Sequence, residues 1–267
     1  MLKDRPGNRL RGYLGIIIVT LAAGLFLKTF VIGAFCVPSA SMESTLIPGD
    51  YIFINKLIYG AKLPNHLPFS TAAFSSFRLP SLKKISRGDV IVFELPKVDS
   101  LNPDPTYFVK RCVGLAGDSV IIRDGNIFIN GNIIRFPSIG QINKDNQFGS
   151  VVVPQKGSVV TITQKNYFMM EQLIRMENHS IRRLSDSTVI IDGKPTKIYT
   201  VLNNYLFVLG DNINHSSDSR VWGFLPEENV IGQAMVVYWS AINEKYSSVP
   251  STLFSSIRWS RIGTFIN

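Results

Sequence analysis

The chain has 267 residues and a formal net charge of +9, and 45% of its residues are hydrophobic against 18% charged. This composition excludes an intrinsically disordered chain, and the length allows one large domain or two small ones. The lysines and arginines are scattered without a long basic block, which argues against nucleic acid as a partner. With two cysteines, three histidines and no zinc-type spacing, the sequence predicts neither a disulfide framework nor a metal site, and it implies no cofactor.

The N-terminus carries basic residues followed by a long apolar run. Residues 1–12 hold four basic side chains and one acid, and the apolar run covers residues 13–35 with Lys28 as its only charge. Residues 13–31 predict a transmembrane anchor if Lys28 extends to the interface, since about 20 residues cross the hydrocarbon. The basic flank is expected to stay in the cytoplasm, which places residues 32–267 on the opposite, extracytoplasmic side of the membrane.

A cleavable signal peptide fits the same segment, because the small residues Ser39-Ala40-Ser41 follow the apolar run. A buried helix of a soluble fold is a third alternative. The next stretch decides between them, because cleavage there would cut through a motif that has the residues for catalysis. The sequence therefore favours an anchor.

The rest of the chain predicts mainly strands and turns. Runs of Ile, Val, Phe and Tyr are separated by Gly-Asp and Asn-Gly pairs, and Asn130-Gly131 predicts a hairpin turn. Residues 167–178 predict the one helix of this region, and residues 60–86 predict a loop. The tail SIRWSRIGTFIN mixes arginines with aromatic residues, which fits an interfacial segment and equally a C-terminal strand.

Two serines of the stretch PSASMESTLIPGD, residues 38–50, form a candidate nucleophile site. On an extended segment, Ser39 and Ser41 would point to the same side. One hydroxyl could attack while the other, with the backbone N–H of residue 41, stabilises an oxyanion. Taken alone, such serines more often belong to ordinary turns.

A serine nucleophile needs a base, and the sequence offers a lysine. No GxSxG motif is present, and most lysines lie in polar surroundings. A strand over TYFVKRCVGLAGD places Lys110 between Phe108 and Cys112 on one face. Such burial would lower the lysine pKa from about 10.4 toward roughly 7–8, which a general base requires. A lysine that snorkels from an edge strand fits the same pattern.

The stretch GDNINHSSDSRVWG, residues 210–223, predicts a tight turn between two glycines. Asp218 and Arg220 could pair on one side of it, and Ser216 could hold a catalytic lysine by a hydrogen bond. A structural loop with a surface ion pair is the alternative reading. The acids lack the spacing of an EF-hand, which excludes that kind of calcium loop.

Together these segments resemble the type I signal peptidases, membrane-bound serine–lysine endopeptidases that remove signal peptides from exported proteins. The resemblance rests on the order of the anchor, PSASMESTLIPGD, RGDVIVF, KRCVGLAGD and GDNINHSSDSRVWGFLP. It implies that Ser41 is the nucleophile and Lys110 the general base. It implies further that Ser39 contributes to the oxyanion hole and that Ser216 orients Lys110. Two larger sets follow from it: a structural polar network of Asp211, Asp218 and Arg220, and pockets for small substrate residues lined by Phe35, Val37, Met42, Leu46, Phe108 and Val109.

The resemblance also implies a mainly β catalytic domain in which residues 119–202 form a second β lobe. It implies preproteins with Ala-x-Ala cleavage sites as substrates, and a single-pass anchor in a bacterial plasma membrane with the catalytic domain on the periplasmic side. The chain departs from the family at Ser44, where many members have proline, and at GDNINHS, where many have GDNRDNS.

Three rival functions remain open to the sequence. One is a soluble serine–lysine self-cleaving repressor, against which the anchor and the lack of a DNA-binding helical domain argue. Another is a membrane-anchored β-domain that binds partners without catalysis. The third is an inactive relative, which the intact Ser41 and Lys110 disfavour.

Overall fold

The computed structural model describes residues 6–62, 78–95, 107–185, 188–242 and 256–267. Residues 63–77, which carry most of the predicted loop over residues 60–86, lie outside the described residues. The helices are α1 (Pro6–Phe26), α2 (Tyr167–Met176) and α3 (Ser219–Trp222). The strands are β1 (Ile32–Cys36), β2 (Asp50–Asn55), β3 (Val90–Glu94), β4 (Tyr107–Gly114), β5 (Ser119–Arg123), β6 (Asn126–Ile129), β7 (Asn132–Ile134), β8 (Phe148–Val152), β9 (Val159–Thr161), β10 (Ile181–Arg183), β11 (Val189–Ile191), β12 (Lys194–Thr196), β13 (Ile198–Thr200), β14 (Tyr205–Leu209), β15 (Leu225–Pro226) and β16 (Val230–Ser240).

Helix α1 continues through a π-helical turn, Leu27–Val31, and the two together carry the apolar run. The stretch Tyr13–Val31 has 19 residues, a mean hydropathy of 2.2 and no side chain buried inside the protein. At 1.5 Å per residue it is about 28 Å long, close to the roughly 30 Å of bilayer hydrocarbon. By length and composition, this stretch is therefore suited to cross a membrane, and the bounds of the anchor stay a prediction.

The main sheet has seven strands, paired in the order β1-β2-β16-β3-β4-β14-β15. Every pair in it is antiparallel. Both faces are covered, as the alternation along β3 shows: Val90 and Val92 pack in one apolar cluster, and Ile91 and Phe93 pack in another. The first cluster also contains Met42, which lies beside the candidate nucleophile Ser41.

The segment between β4 and β14 forms three smaller sheets and α2. The sheets have the orders β7-β6-β5-β8, β10-β11-β12 and β13-β9. The predicted hairpin is confirmed, because Asn130 and Gly131 both have positive φ, 52° and 82°, between β6 and β7. The predicted helix is confirmed as α2. An apolar cluster joins this segment to β14 through Tyr205, Phe207 and Leu209. The division of the chain into domains stays a prediction.

A buried carboxylate fixes the link between α2 and β14. Glu177, just after α2, accepts hydrogen bonds from the hydroxyls of Tyr199 and Tyr205, at 2.6 and 3.0 Å. The backbone N–H groups of Leu202 and Asn203 donate to the same carboxylate. Neutral donors thus satisfy a buried charge, and they tie the smaller sheets to the strand that leads into the GDNINHS turn.

The C-terminal tail returns to the main sheet. It makes two isolated bridges, Ala241 with Ile257 and Val236 with Phe265, instead of a continuous strand. The side chains of Trp259 and Phe265 are 63% and 77% exposed, so the tail pairs with the sheet and leaves these two aromatic side chains at the surface.

Candidate active site

The nucleophile stretch is a closed loop between β1 and β2. The backbone N–H of Val37 donates to Asp50, and that of Gly49 donates to Val37, which joins the two ends of the loop. Asp50 is fully buried and receives the guanidinium of Arg261 and the hydroxyl of Ser240, the latter at 2.6 Å. The buried side chain of Met42 packs in an apolar cluster and anchors the middle of the loop to the core. The loop therefore holds its serines in a defined position.

Ser41 and Lys110 meet across the molecule. The Lys110 Nζ lies 2.5 Å from the Ser41 Oγ, and the lysine is only 3% exposed. Lys110 sits in the middle of β4, opposite Ile91 of β3, as the predicted strand requires. Burial lowers the pKa of Lys110 to about 8, and the charges of Asp218 and Asp211 partly oppose that shift. The predicted lowering of this pKa is confirmed.

Ser39 also reaches the nucleophile. Its Oγ lies 3.2 Å from the Ser41 Oγ. The predicted proximity is confirmed, but the predicted extended backbone is wrong. Residues Ala40–Met42 form a 3₁₀ turn, with Ser39 extended before it. The two hydroxyls meet because the turn brings Ser41 back toward Ser39.

Ser216 does not make the predicted hydrogen bond to Lys110. Its Oγ is buried and has no hydrogen-bond partner within the described residues. The hydroxyl packs so closely on Gly210 that a Cβ there would overlap it and the Ser41 carbonyl oxygen. The GDNINHS turn and the nucleophile loop therefore touch through a glycine.

The predicted polar network forms around two separate carboxylates. Asp218 pairs with Arg220 at 2.8 Å, as the sequence predicts, and it also accepts the backbone N–H of Gly210. Asp211 instead forms a bidentate pair with Arg111, with both distances 2.7 Å and both side chains buried. Thr45 of the nucleophile loop also donates to Asp211, at 2.5 Å, so the buried Arg111–Asp211 pair holds this loop in place.

Arg111 and Asn212 belong to the site although no sequence pattern predicted a role for them. The backbone N–H of Asn212 donates to the Ser41 carbonyl, and its Nδ2 donates to the Ala40 carbonyl, both at 3.1 Å. The only signal for Arg111 was its place on the β4 face opposite Lys110. Contacts between residues 100 or more positions apart leave no local pattern.

The family model described as "Signal peptidase, peptidase S26" matches residues 10–239 of this chain. The chain belongs to this family. Signal peptidase I of Pseudomonas aeruginosa is 29% identical over 238 aligned residues, covering 85% of this chain and 72% of that protein. Signal peptidase I of Aquifex aeolicus is 31% identical over 240 residues, covering 84% and 82%. A crystal structure of a signal peptidase I from Enterococcus faecalis V583 covers 57% of this chain and 98% of its own, at 23% identity and a TM-score of 0.29.

Family membership confirms the prediction of a serine peptidase with a mainly β fold. The apolar helix fits the membrane-anchored protein that the sequence predicts. The roles of individual residues in this signal peptidase stay predictions.

One departure from the family pattern has a structural explanation. Ser44, where many signal peptidases have proline, adopts a φ of 98°. A proline ring fixes φ near −65°, so this backbone excludes proline. The Ser44 hydroxyl donates to the carbonyl of Ser138, which lies between β7 and β8. The departure thus ties the nucleophile loop to the smaller sheets.

The six residues predicted to line the substrate pockets divide between two clusters. Phe35 and Val109 pack against the buried side chains of Val37, Met42 and Leu46. The sixth residue, Phe108, belongs to the cluster on the other side of the sheet. The structure therefore brings five of the six together and separates the sixth from them.

Proposed function

We propose that Ser41 and Lys110 form the catalytic dyad of this protein, a membrane-bound serine endopeptidase that removes N-terminal signal peptides from exported preproteins. The observation that carries the proposal is the 2.5 Å contact between the two side chains, made where burial lowers the pKa of the lysine to about 8. A neutral amine in hydrogen-bond contact with a serine hydroxyl is the arrangement that general-base activation needs.

The reaction follows acyl transfer. Neutral Lys110 takes the proton of the Ser41 hydroxyl as the Oγ attacks the scissile carbonyl carbon. The Ser39 hydroxyl, 3.2 Å from the Ser41 Oγ, and the backbone N–H of residue 41 stabilise the oxyanion. The proton then passes from Lys110 to the leaving amine, and the mature chain departs. Water, activated by the same lysine, hydrolyses the ester and releases the signal peptide.

The surrounding residues have positioning roles in this proposal. The Asp211 pair and the Asp218 pair hold the two loops that meet at Ser41. The buried hydroxyl of Ser216 packs against Gly210, where the two loops meet, and makes no hydrogen bond to Lys110. The apolar group beneath Ser41 favours small residues at the cut, as in Ala-x-Ala sites. Its members are Phe35, Val37, Met42, Leu46 and Val109, with Phe108 on the opposite side.

The substrate and the enzyme share one membrane. A signal peptide keeps its apolar segment in the bilayer while its cleavage site emerges at the surface, where an anchored nucleophile gains effective concentration. We place residues 1–12 in the cytoplasm and the catalytic domain, residues 32–267, on the periplasmic side of a bacterial plasma membrane.

The test is cleavage of a preprotein with an Ala-x-Ala site by the full-length protein in detergent. Ser41→Ala and Lys110→Arg should abolish cleavage, the second because an arginine stays charged. Ser81→Ala, at an exposed serine, is the matched control and should cleave like the wild type. Cleavage that survives Ser41→Ala would refute the nucleophile. A folded wild type that cuts no preprotein would favour the non-catalytic binding domain.

A further inference from the structure

A groove of about 440 Å³ lies where the membrane-spanning helix meets the first two strands. It is separate from the contact between Ser41 and Lys110. Most of its wall is apolar, and none of its lining residues is acidic, whereas two are lysines. The side chains that matter here are Leu27, Lys28, Ile32, Phe35, Phe53 and Lys56.

Lys56 is fixed at the end of the helix. Its Nζ donates to the carbonyl of Lys28 at 3.0 Å and to that of Thr29 at 3.3 Å. These carbonyls belong to the last helical turn, where no following turn supplies N–H groups to pair with them. Two of the three ammonium protons are used in this way, so one remains for a ligand in the groove.

The groove lies at the level of lipid headgroups. The membrane-spanning stretch ends at Val31, and Lys28 precedes that end by three residues. At 1.5 Å per residue, Lys28 is within about 5 Å of the hydrocarbon boundary. Leu27 lies on the hydrocarbon side of Lys28 and is therefore next to acyl chains, while the ammonium groups of the two lysines are next to phosphate groups.

Both charged side chains that line the groove are positive. Burial lowers the pKa of Lys56, and the positive charge of Lys28 lowers it further. An anion between the two lysines would relieve this repulsion and satisfy the remaining ammonium proton. Because the apolar wall continues directly from the lysines, a ligand with a phosphate head and a hydrocarbon tail matches the groove better than a free ion.

We propose that the groove binds an anionic phospholipid of the surrounding leaflet, with its phosphate between Lys28 and Lys56 and an acyl chain along Leu27. The bound lipid joins the anchor to the first two strands of the main sheet. This role is independent of the Ser41–Lys110 chemistry.

The experiment is lipid binding to the full-length protein in detergent, read by native mass spectrometry. The probes are a short-chain phosphatidylglycerol, a phosphatidylcholine with the same chains, and inorganic phosphate. We expect the phosphatidylglycerol to bind most tightly of the three probes. The K28Q/K56Q variant should bind it at least roughly tenfold more weakly, since each lysine near a lipid phosphate adds to the binding affinity.

Two variants control for charge and folding. K194Q/K197Q removes the same two charges from exposed positions around β12 and should leave lipid binding unchanged. K28R/K56R keeps the charges and should retain binding, which separates charge recognition from loss of the helix-end contact.

Three results would overturn the proposal. Equal binding of phosphatidylcholine and phosphatidylglycerol would show that the groove does not recognise an anionic headgroup. Full displacement of the lipid by inorganic phosphate would mean a free-ion site. Displacement of bound lipid by the apolar segment of a signal peptide would make the substrate the occupant. Because binding is read without cleavage, these results leave the proposed peptidase function untouched.

Discussion

Lys110 is only 3% exposed, and burial lowers its pKa to about 8. This pKa sets the fraction of enzyme molecules in which the lysine is neutral and can act as a base. At pH 7 about a tenth of the lysines are neutral, and half are neutral near pH 8. We therefore expect kcat/KM for a preprotein to rise about tenfold from pH 7 and to level off above pH 9. A pH series from 6 to 10 measures this, and a flat profile would contradict the role of the lysine.

The same burial costs stability at neutral pH. Below pH 8 the lysine is charged in both states, and its charge is poorly solvated in the folded protein. Between pH 8 and 10.5 the unfolded chain binds the proton more tightly, so the stability due to this group rises with pH. Lys110→Met should therefore raise the melting temperature at pH 7 by a few degrees, and the gain should shrink toward pH 10. An equal gain at both pH values, measured by calorimetry, would contradict this linkage.

The Arg111–Asp211 pair makes a different prediction at the same scale. Its side chains are 4% and 0% exposed, so removing one leaves the other charge buried without its partner. Asp211→Ala should lower the free energy of unfolding by about 3–5 kcal/mol, measured by denaturant titration. Glu171→Ala breaks the exposed Glu171–Arg175 pair on α2 and should change it by no more than about 0.5 kcal/mol. Similar losses in both variants would argue against a bracing role for Asp211.

Among the loops and strands, the contact between the GDNINHS turn and the nucleophile loop leaves no room for an added side-chain atom. A Cβ at Gly210 would overlap the Ser216 Oγ and the Ser41 carbonyl, whereas a Cβ at Gly149 meets nothing within 4 Å. Gly210→Ala should therefore lower kcat by about a hundredfold, since displacement of a nucleophile by about 1 Å has such an effect. Gly149→Ala should cleave normally. A fully active Gly210→Ala variant would show that the loops can separate without loss.

The sequence predicted those parts of the site that depend on local pattern. Alternation along one strand was enough to place Lys110 in a buried position, and the Asn130-Gly131 pair was enough for its hairpin. The contact of Ser39 with Ser41 was predicted for the wrong reason, because a 3₁₀ turn replaces the extended segment. The pairing of Arg111 with Asp211 was not predictable, because sheet order brings together residues 100 positions apart.

For the whole molecule, the orientation in the membrane is the property to test. Cys36 is exposed just beyond the anchor, and the other cysteine, Cys112, is buried. A membrane-impermeant maleimide should therefore label wild-type protein in intact spheroplasts. The N8C/C36S variant should be labelled only after lysis, because residues 1–12 are placed in the cytoplasm. Labelling of that variant in intact spheroplasts would reverse the proposed orientation.

Strand β1 begins at Ile32, directly after the last residue of the membrane-spanning stretch, and Ser41 follows nine residues later. With no linker in between, the height of the nucleophile above the bilayer depends on the length and tilt of the helix. A thicker or thinner bilayer changes that tilt. Under the proposed function, membrane thickness would therefore affect which cleavage sites reach Ser41, according to their distance from the apolar end of the signal peptide.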